Sequence, residues 1–453
     1  MSTNSKTSLQ AIPDDQLQAD LLRRRNMGSR IFILNRPTKA NALTLDVIRS
    51  ITPQLQAWNL SNLCNVIIIK GTGNKFFCAG GDVVNLVKQL ESDPSNKPNV
   101  LTFFREEYQL DHLIATVYKP FVAIIDGATM GGGVGISALA PFRIATENTI
   151  FAMPETKIGL FPDVGGSFFL PRMDGELGTY LALTCENVVG IDVFLSGVAS
   201  HYVPSQRLQQ LEDRLSELES DDHEVINSAI EEFVSEPPKE HKYSFGGKIR
   251  ESIDRCFKGN SIHQIFENLE NEGTEWSKKT LETLKKHSPT SLVVTLKELR
   301  EGKEKDIVNC FKLEYNVVQK FLEKSDFKEG VRALLIDKDN NPKWNPSTIN
   351  DINEEEIINF YFNSEKDCET IEFLNELSFE KHPHYKFSLP SEEEIRMVIT
   401  GETPDAGSLS MSKSEVVDFF LKNRKSKIGV PEKVLEVLDR KTSSLNGGLK
   451  WKD

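Results

Sequence analysis

The chain has 453 residues, of which 39% are hydrophobic and 27% charged, with a formal net charge of -13. That composition builds a sizeable core and, at roughly 150 residues per unit, allows about three domain-sized pieces. Its acidity repels phosphate backbones and argues against nucleic acid as the main partner, leaving room only for a local basic patch. No apolar run approaches the roughly 18 residues that span a bilayer, so no membrane partner is expected. Cys64, Cys78, Cys185, Cys256, Cys310 and Cys368 are scattered, with no CxxC pair and no nearby His at ligand spacing. They read as reduced core thiols, and no metal is expected. Residues 1–12 are Ser/Thr-rich but lack an Arg-rich amphipathic helix, so 1–29 reads as a flexible tail rather than a presequence.

In chain order, Arg30-Ile31-Phe32-Ile33-Leu34 reads as a strand ended by Asn35-Arg36-Pro37. Leu45, Ile48, Ile51 and Leu55 recur at helical spacing. Val66-Ile67-Ile68-Ile69 and Phe121-Val122-Ala123-Ile124-Ile125 are unbroken apolar runs, as strands buried on both faces require. Phe142-Arg143-Ile144-Ala145 is another short strand. Strands alternating with helices predict an α/β core over 30–205. From 206, Leu208, Leu211, Leu215 and Leu218 set a helical period, and a helical region runs to 364, interrupted by the turn cluster at 337–346. Residues 350–374 read as helical and acidic. The extension 365–453 begins with Pro383 and Pro390, which suit a linker, and predicts short amphipathic helices over 391–399, 412–423 and 430–440. Its basic cluster Lys422-Asn423-Arg424-Lys425-Ser426-Lys427 reads as a solvated helix end, with RNA contact as the alternative.

Three stretches can carry chemistry. Cys78-Ala79-Gly80-Gly81-Asp82 and Met130-Gly131-Gly132-Gly133-Val134-Gly135 each follow a buried strand where a helix begins. Such junctions leave backbone N–H groups pointing outward, and two of them, one per loop, can make an oxyanion hole. Alone, the same glycines serve tight packing equally well. Neither loop matches GxGxxG or a P-loop, which removes dinucleotide and ATP readings. The third stretch runs from Phe151 to Gly166, with Glu155 and Asp163 as its only acids among apolar and small residues. Burial there would raise a carboxyl pKa toward neutrality and make a useful acid or base. The plainer reading has Asp163 capping a helix and Glu155 on an exposed loop.

The order of these motifs, from Asn35-Arg36-Pro37 and Asn41-Ala42-Leu43 through the Gly-Gly-Asp loop and the triple glycine to Pro154-Glu155, resembles the crotonase superfamily. Phe103-Phe104-Arg105-Glu106-Glu107-Tyr108, Met153 to Gly166, Ser288-Pro289-Thr290-Ser291 and Phe327 to Ala333 are similar to the 3-hydroxyisobutyryl-CoA hydrolases, to about residue 364. The resemblance implies a spiral of strand-strand-helix turns followed by an α-helical C-terminal region. It implies an acyl-CoA substrate, no cofactor, and hydrolysis of the thioester in mitochondrial valine breakdown. Gly81 and Gly132 would supply the oxyanion donors, Glu155 the main catalytic carboxylate, Asp163 its partner and Glu107 a substrate contact. Gly135 stands where hydratases carry a second Glu, which counts against the alternative, an enoyl-CoA hydratase or isomerase. Some members of the subfamily resemble components of the mitochondrial small ribosomal subunit, for which 365–453 would be a docking element. Superfamily trimers leave a homo-oligomer open. On this reading the extension lies outside the active site, and truncation after Ser364 spares hydrolysis.

Overall fold

The computed structural model describes residues 19–238, 240–363, 368–403, 411–445 and 448–452. Its strands come in consecutive pairs. β1 (Leu21–Asn26) and β2 (Ser29–Leu34) form a hairpin; then follow β3 (Val66–Gly71) with β4 (Phe76–Cys78), β5 (Phe121–Ile124) with β6 (Ala128–Met130), and β7 (Phe142–Ala145) with β8 (Ile150–Ala152). Two short strands, β9 (Val188–Val189) and β10 (His201–Tyr202), complete the sheets. The first member of each later pair joins a six-stranded sheet of order β1-β2-β3-β5-β7-β10, and the second joins a four-stranded sheet of order β4-β6-β8-β9. Helices Val83–Ser92 and Lys97–Ala115 follow the first of these pairs, and helix Gly132–Ala138 follows the second. The result is a spiral of strand-strand-helix turns.

The unbroken apolar runs have a direct explanation. Ile67 and Ile69 pack with Phe32, Phe121 and Ala123 in the main core. Val66 and Ile68 face the other way, into a second core with Leu211, Leu215, Ile226 and Ile230. Helices Leu208–Glu217 and His223–Glu231 carry those last four, so both faces of the large sheet are covered. Most of the remaining elements among the described residues are helices, including Pro289–Gly302 and Ile307–Phe321, which pack into the main core.

Three expectations need correction. First, the stretch 1–29 is not tail throughout: β1 pairs antiparallel with β2 from Leu21↔Leu34 to Asn26↔Ser29. Arg23 and Arg25 stay exposed while Leu21 and Leu22 are buried, so a basic run conceals a strand held by its backbone. Residues 1–18 lie outside the described residues. Second, the helix at 350–374 is confined to Glu354–Phe362. Residues 372–377 instead run along helix Lys97–Ala115, where Gln109 donates to Glu372 O at 2.7 Å and His112 Nε2 lies 2.9 Å from Leu377 O.

Third, the stretch around Pro383 and Pro390 is no loose linker. Arg143 donates to Ser388 at 2.9 Å, His382 Nε2 lies 2.9 Å from Leu139 O, and Phe387 is buried against Phe142. The extension's helices Glu392–Thr400, Lys413–Asn423 and Val430–Lys441 bury Ile395, Val398, Val416, Phe420, Val434 and Leu438 in the main core. Its basic cluster is divided: Lys422 and Lys425 stay exposed, as a solvated helix end predicts, while Arg424 and Lys427 are drawn into the protein. Arg424 pairs with Glu394 at 2.7 Å, Lys425 with Glu224 at 2.7 Å, and buried Lys427 with Glu231 at 2.5 Å. Among the described residues no helix is long and apolar enough to cross a membrane.

Candidate active site

The two glycine loops meet at the C-terminal ends of β4 and β6. Leu43 N–H donates to Gly80 O and Asp82 N–H to Leu43 O, both at 2.9 Å, which fixes the first loop; Asp82 then caps helix Val83–Ser92 through its side chain. In the second loop Gly131 has φ 48°, and Gly132 opens helix Gly132–Ala138, so its N–H has no acceptor within that helix. A Cβ on Gly132 would stand 3.3 Å from Gly81 N and 2.2 Å from Glu107 Oε1. Only glycine lets the two backbones and this carboxyl approach so closely.

The carboxyls converge on the same place. Glu155 opens the short turn Glu155–Ile158, whose Ser288 N–H···O=C Thr156 bond ties it to helix Pro289–Gly302. The Glu155 carboxyl is buried, its Oε1 lies 3.1 Å from where a Cβ on Gly131 would stand, and its Oε2 has no partner among the described residues. Asp163 is buried too and accepts the Tyr108 hydroxyl at 2.7 Å. It is not a cap, since Gly165 holds that position before helix Gly166–Phe169. Glu107, on helix Lys97–Ala115, is 2% exposed, with Oε1 unpartnered among the described residues. Sequence reasoning thus named five positions, and the fold gathers all of them.

One-signed burial sets the electrostatics. Burial, with Asp163 and Glu155 nearby, pushes the Glu107 carboxyl well above the usual range. Burial and Asp163 do the same to Glu155. Asp163 is pushed up to about 7 by burial, against the Tyr108 hydrogen bond that favours its charged form. Like charges held this close disfavour one another's ionisation, so the acids do not all lose their protons together.

Four further buried groups escaped the sequence reading: Tyr108, Asp111, Glu298 and Glu314. Glu314 accepts Gly165 N–H at 2.8 Å, Ser167 N–H at 3.0 Å and Ser167 Oγ–H at 2.5 Å, holding the turn after Asp163, while burial pushes it up to about 8. Asp111 is fully buried, and both its oxygens are unpartnered among the described residues. A Cβ on Gly135 would meet Asp111 Oδ2 at 2.6 Å and Val164 Cβ at 2.7 Å, so the volume of a residue-135 side chain is already filled. The signal for Asp111 was present as an acid four residues after Glu107, on the same face of a helix that is otherwise mostly buried. Glu298 and Glu314 lie on remote helices and gave no local signal.

Residues 29–362 match a family model described as enoyl-CoA hydratase/isomerase. The chain is 45% identical over 439 residues to the small ribosomal subunit protein mS47 of Neurospora crassa, covering 92% of this chain and 85% of that protein. It is 45% identical over 346 residues to the mitochondrial 3-hydroxyisobutyryl-CoA hydrolase of Mus musculus, covering 76% and 88%. Among solved structures, a carnitinyl-CoA dehydratase from Mycobacterium thermoresistibile superimposes with a TM-score of 0.70 at 30% identity, covering 79% of this chain and 99% of that one.

Proposed function

This chain belongs to the enoyl-CoA hydratase/isomerase family and is mitochondrial, and we propose that it hydrolyses 3-hydroxyisobutyryl-CoA to CoA and 3-hydroxyisobutyrate. The observation that carries this is the convergence of Glu155, Asp163 and Glu107 on the Gly81 and Gly132 backbones. The thioester carbonyl oxygen sits between those two N–H groups, which stabilise the charge that develops on attack; losing one such donor costs about 10²–10³-fold. Glu155 either takes a proton from the attacking water, or attacks the carbonyl carbon itself to form an anhydride that water then hydrolyses; in both routes the C–S bond breaks and the CoA thiolate leaves and takes up a proton. Asp163, held by Tyr108, orients Glu155 or the water, and Glu107 binds the acyl hydroxyl. Asp111 refines the case against the hydratase alternative. The second hydratase carboxylate cannot come from position 135, because that space is taken.

Free-thiol release by purified protein, across hydroxylated and plain acyl-CoAs and crotonyl-CoA, tests the proposal. Hydration of crotonyl-CoA with no thiol release would sink it. Single turnover in ¹⁸O water tests the second role of Glu155, since solvent oxygen found in its carboxyl requires an anhydride that water opens at the enzyme's own carbonyl carbon. A second reading, association with the small ribosomal subunit, is supported by one observation. The match to the Neurospora protein reaches into the extension, covering 92% of the chain where the mouse hydrolase covers 76%. Co-sedimentation of the wild-type protein with small subunits tests it, and the two activities are compatible because the extension lies outside the glycine loops.

A further inference from the structure

Helix Pro289–Gly302 carries a polar stripe that the mechanism above does not use. Ser291, Thr295 and Glu298 follow one another at spacings of four and three, so they share one face of the helix. All three are fully buried. Ser291 Oγ, Thr295 Oγ1 and both Glu298 carboxyl oxygens have no hydrogen-bond partner among the described residues.

Contacts at the two ends of the helix show where this face points. Ser288, one turn before Ser291, donates its N–H to Thr156 O at 3.2 Å. Gly302, one turn after Glu298, lies so close to Ser167 that a Cβ there would stand 2.0 Å from the Ser167 carbonyl oxygen. The stripe therefore faces the segment between Thr156 and Ser167, which begins beside Glu155 and contains Asp163. Burial, with the charges of Glu314, Asp163 and Glu155 nearby, pushes the Glu298 carboxyl well above the usual range. It keeps its proton at neutral pH and can donate as well as accept.

Glu314 supplies the contrast. Its oxygens are filled by Gly165 N–H, Ser167 N–H and the Ser167 hydroxyl, and they hold a turn. Glu298 holds no part of the protein. Packing is no reason for the stripe, because Ala, Val and Leu fill such volumes without burying polar atoms away from partners. Buried hydroxyls and carboxyls that the protein leaves unanswered are met by ordered water. The substrate's acyl hydroxyl is the competing occupant, but Glu107 already stands against Gly132, where the thioester lies.

We propose that Ser291, Thr295 and Glu298 hold a short file of water beside Glu155 and Asp163, and that Glu298 is a positioning residue for the attacking water. The inference rests on the hydrolase reading. In net terms each turnover adds a water's hydroxyl to the acyl carbon and its proton to the CoA thiolate, so a site closed on its substrate needs a supply of water.

Kinetics of thiol release and a crystal structure of the full-length protein test this. Glu298→Leu removes a buried acid that no cation answers, so thermal stability should hold. Its kcat should fall about 10²-fold with KM unchanged, and equally for hydroxylated and plain acyl-CoAs. Glu298→Gln keeps a donor and an acceptor and should return kcat to within a few-fold of wild type. Thr295→Val, of equal volume, should lower kcat about tenfold. The crystal structure should show ordered water within hydrogen-bond reach of Thr295 Oγ1 and Glu298. A folded Glu298→Leu protein at full kcat, or a stripe without water, would overturn the inference. So would a loss confined to hydroxylated substrates, which makes the stripe an acyl pocket, or a Gln variant as slow as the Leu variant, which makes Glu298 a proton carrier. A wild type inert toward every acyl-CoA would instead bring down the hydrolase reading and the positioning role with it, and the crystal structure would decide the water file alone.

Discussion

Glu155 and Asp163 lie buried beside Glu107, another acid, whereas Lys427, Lys433 and Arg440 of the C-terminal extension lie just as buried against carboxylates. Lys433 pairs with Asp174, and Arg440 donates to Glu392 at 2.7 Å. Burial would raise Asp174, but Lys433 and Arg250 outweigh it and hold its carboxyl below the ordinary range. In the extension, then, buried charge serves attachment and is neutralised in place. At the glycine loops buried charge is left one-signed, a costly arrangement that persists where protons must move. The difference teaches that burial alone does not mark a site; burial without an opposite charge does.

The comparison breaks first if the extension is removed. Truncation after Ser364 strips the cover from helix Lys97–Ala115, which carries Glu107, and exposes the core faces that Ile395, Val416, Phe420 and Val434 fill. We expect an unstable, largely insoluble product, contrary to the expectation from sequence that activity survives. Thermal melting and solubility of the truncated chain check this, and a soluble, fully active one would show the extension to be an ornament. Next in size, Glu155→Gln should cut thiol release by about 10²–10⁴-fold without loss of thermal stability. Wild-type turnover in a folded variant would remove Glu155 from the chemistry.

The neutralised region responds differently. Lys433→Met leaves Asp174 buried with only Arg250 nearby, and should cost roughly 3 kcal/mol in denaturant unfolding. Thiol release per folded molecule should not change. Opposite in sign is Asp163→Asn. The Asp163 pKa is raised to about 7 in the fold, so its ionisation costs stability above that pH and the cost vanishes as pH falls toward the ordinary carboxylate range. The variant should therefore be more stable at pH 8, by up to roughly 4 kcal/mol, with the gain fading toward pH 4, while activity drops. A gain independent of pH would mean that packing, not charge, was relieved.

By itself the sequence determined the spiral's strands wherever burial on both faces made an unbroken apolar run, as in Val66-Ile67-Ile68-Ile69. It also marked the five positions Gly81, Glu107, Gly132, Glu155 and Asp163, because ordered motifs survive as local strings. Other features depended on the third dimension. β1 was hidden because its arginines face solvent and its order comes from backbone pairing with β2, which no side-chain period reports. Asp111, Glu298 and Glu314 reach the site from helices whose place is set only by packing. Lys427 of the basic cluster gave no sign of its burial because its acidic partner, Glu231, stands some two hundred residues earlier in the chain. A residue's charge is written in the sequence, but whether that charge is answered depends on what the fold brings against it.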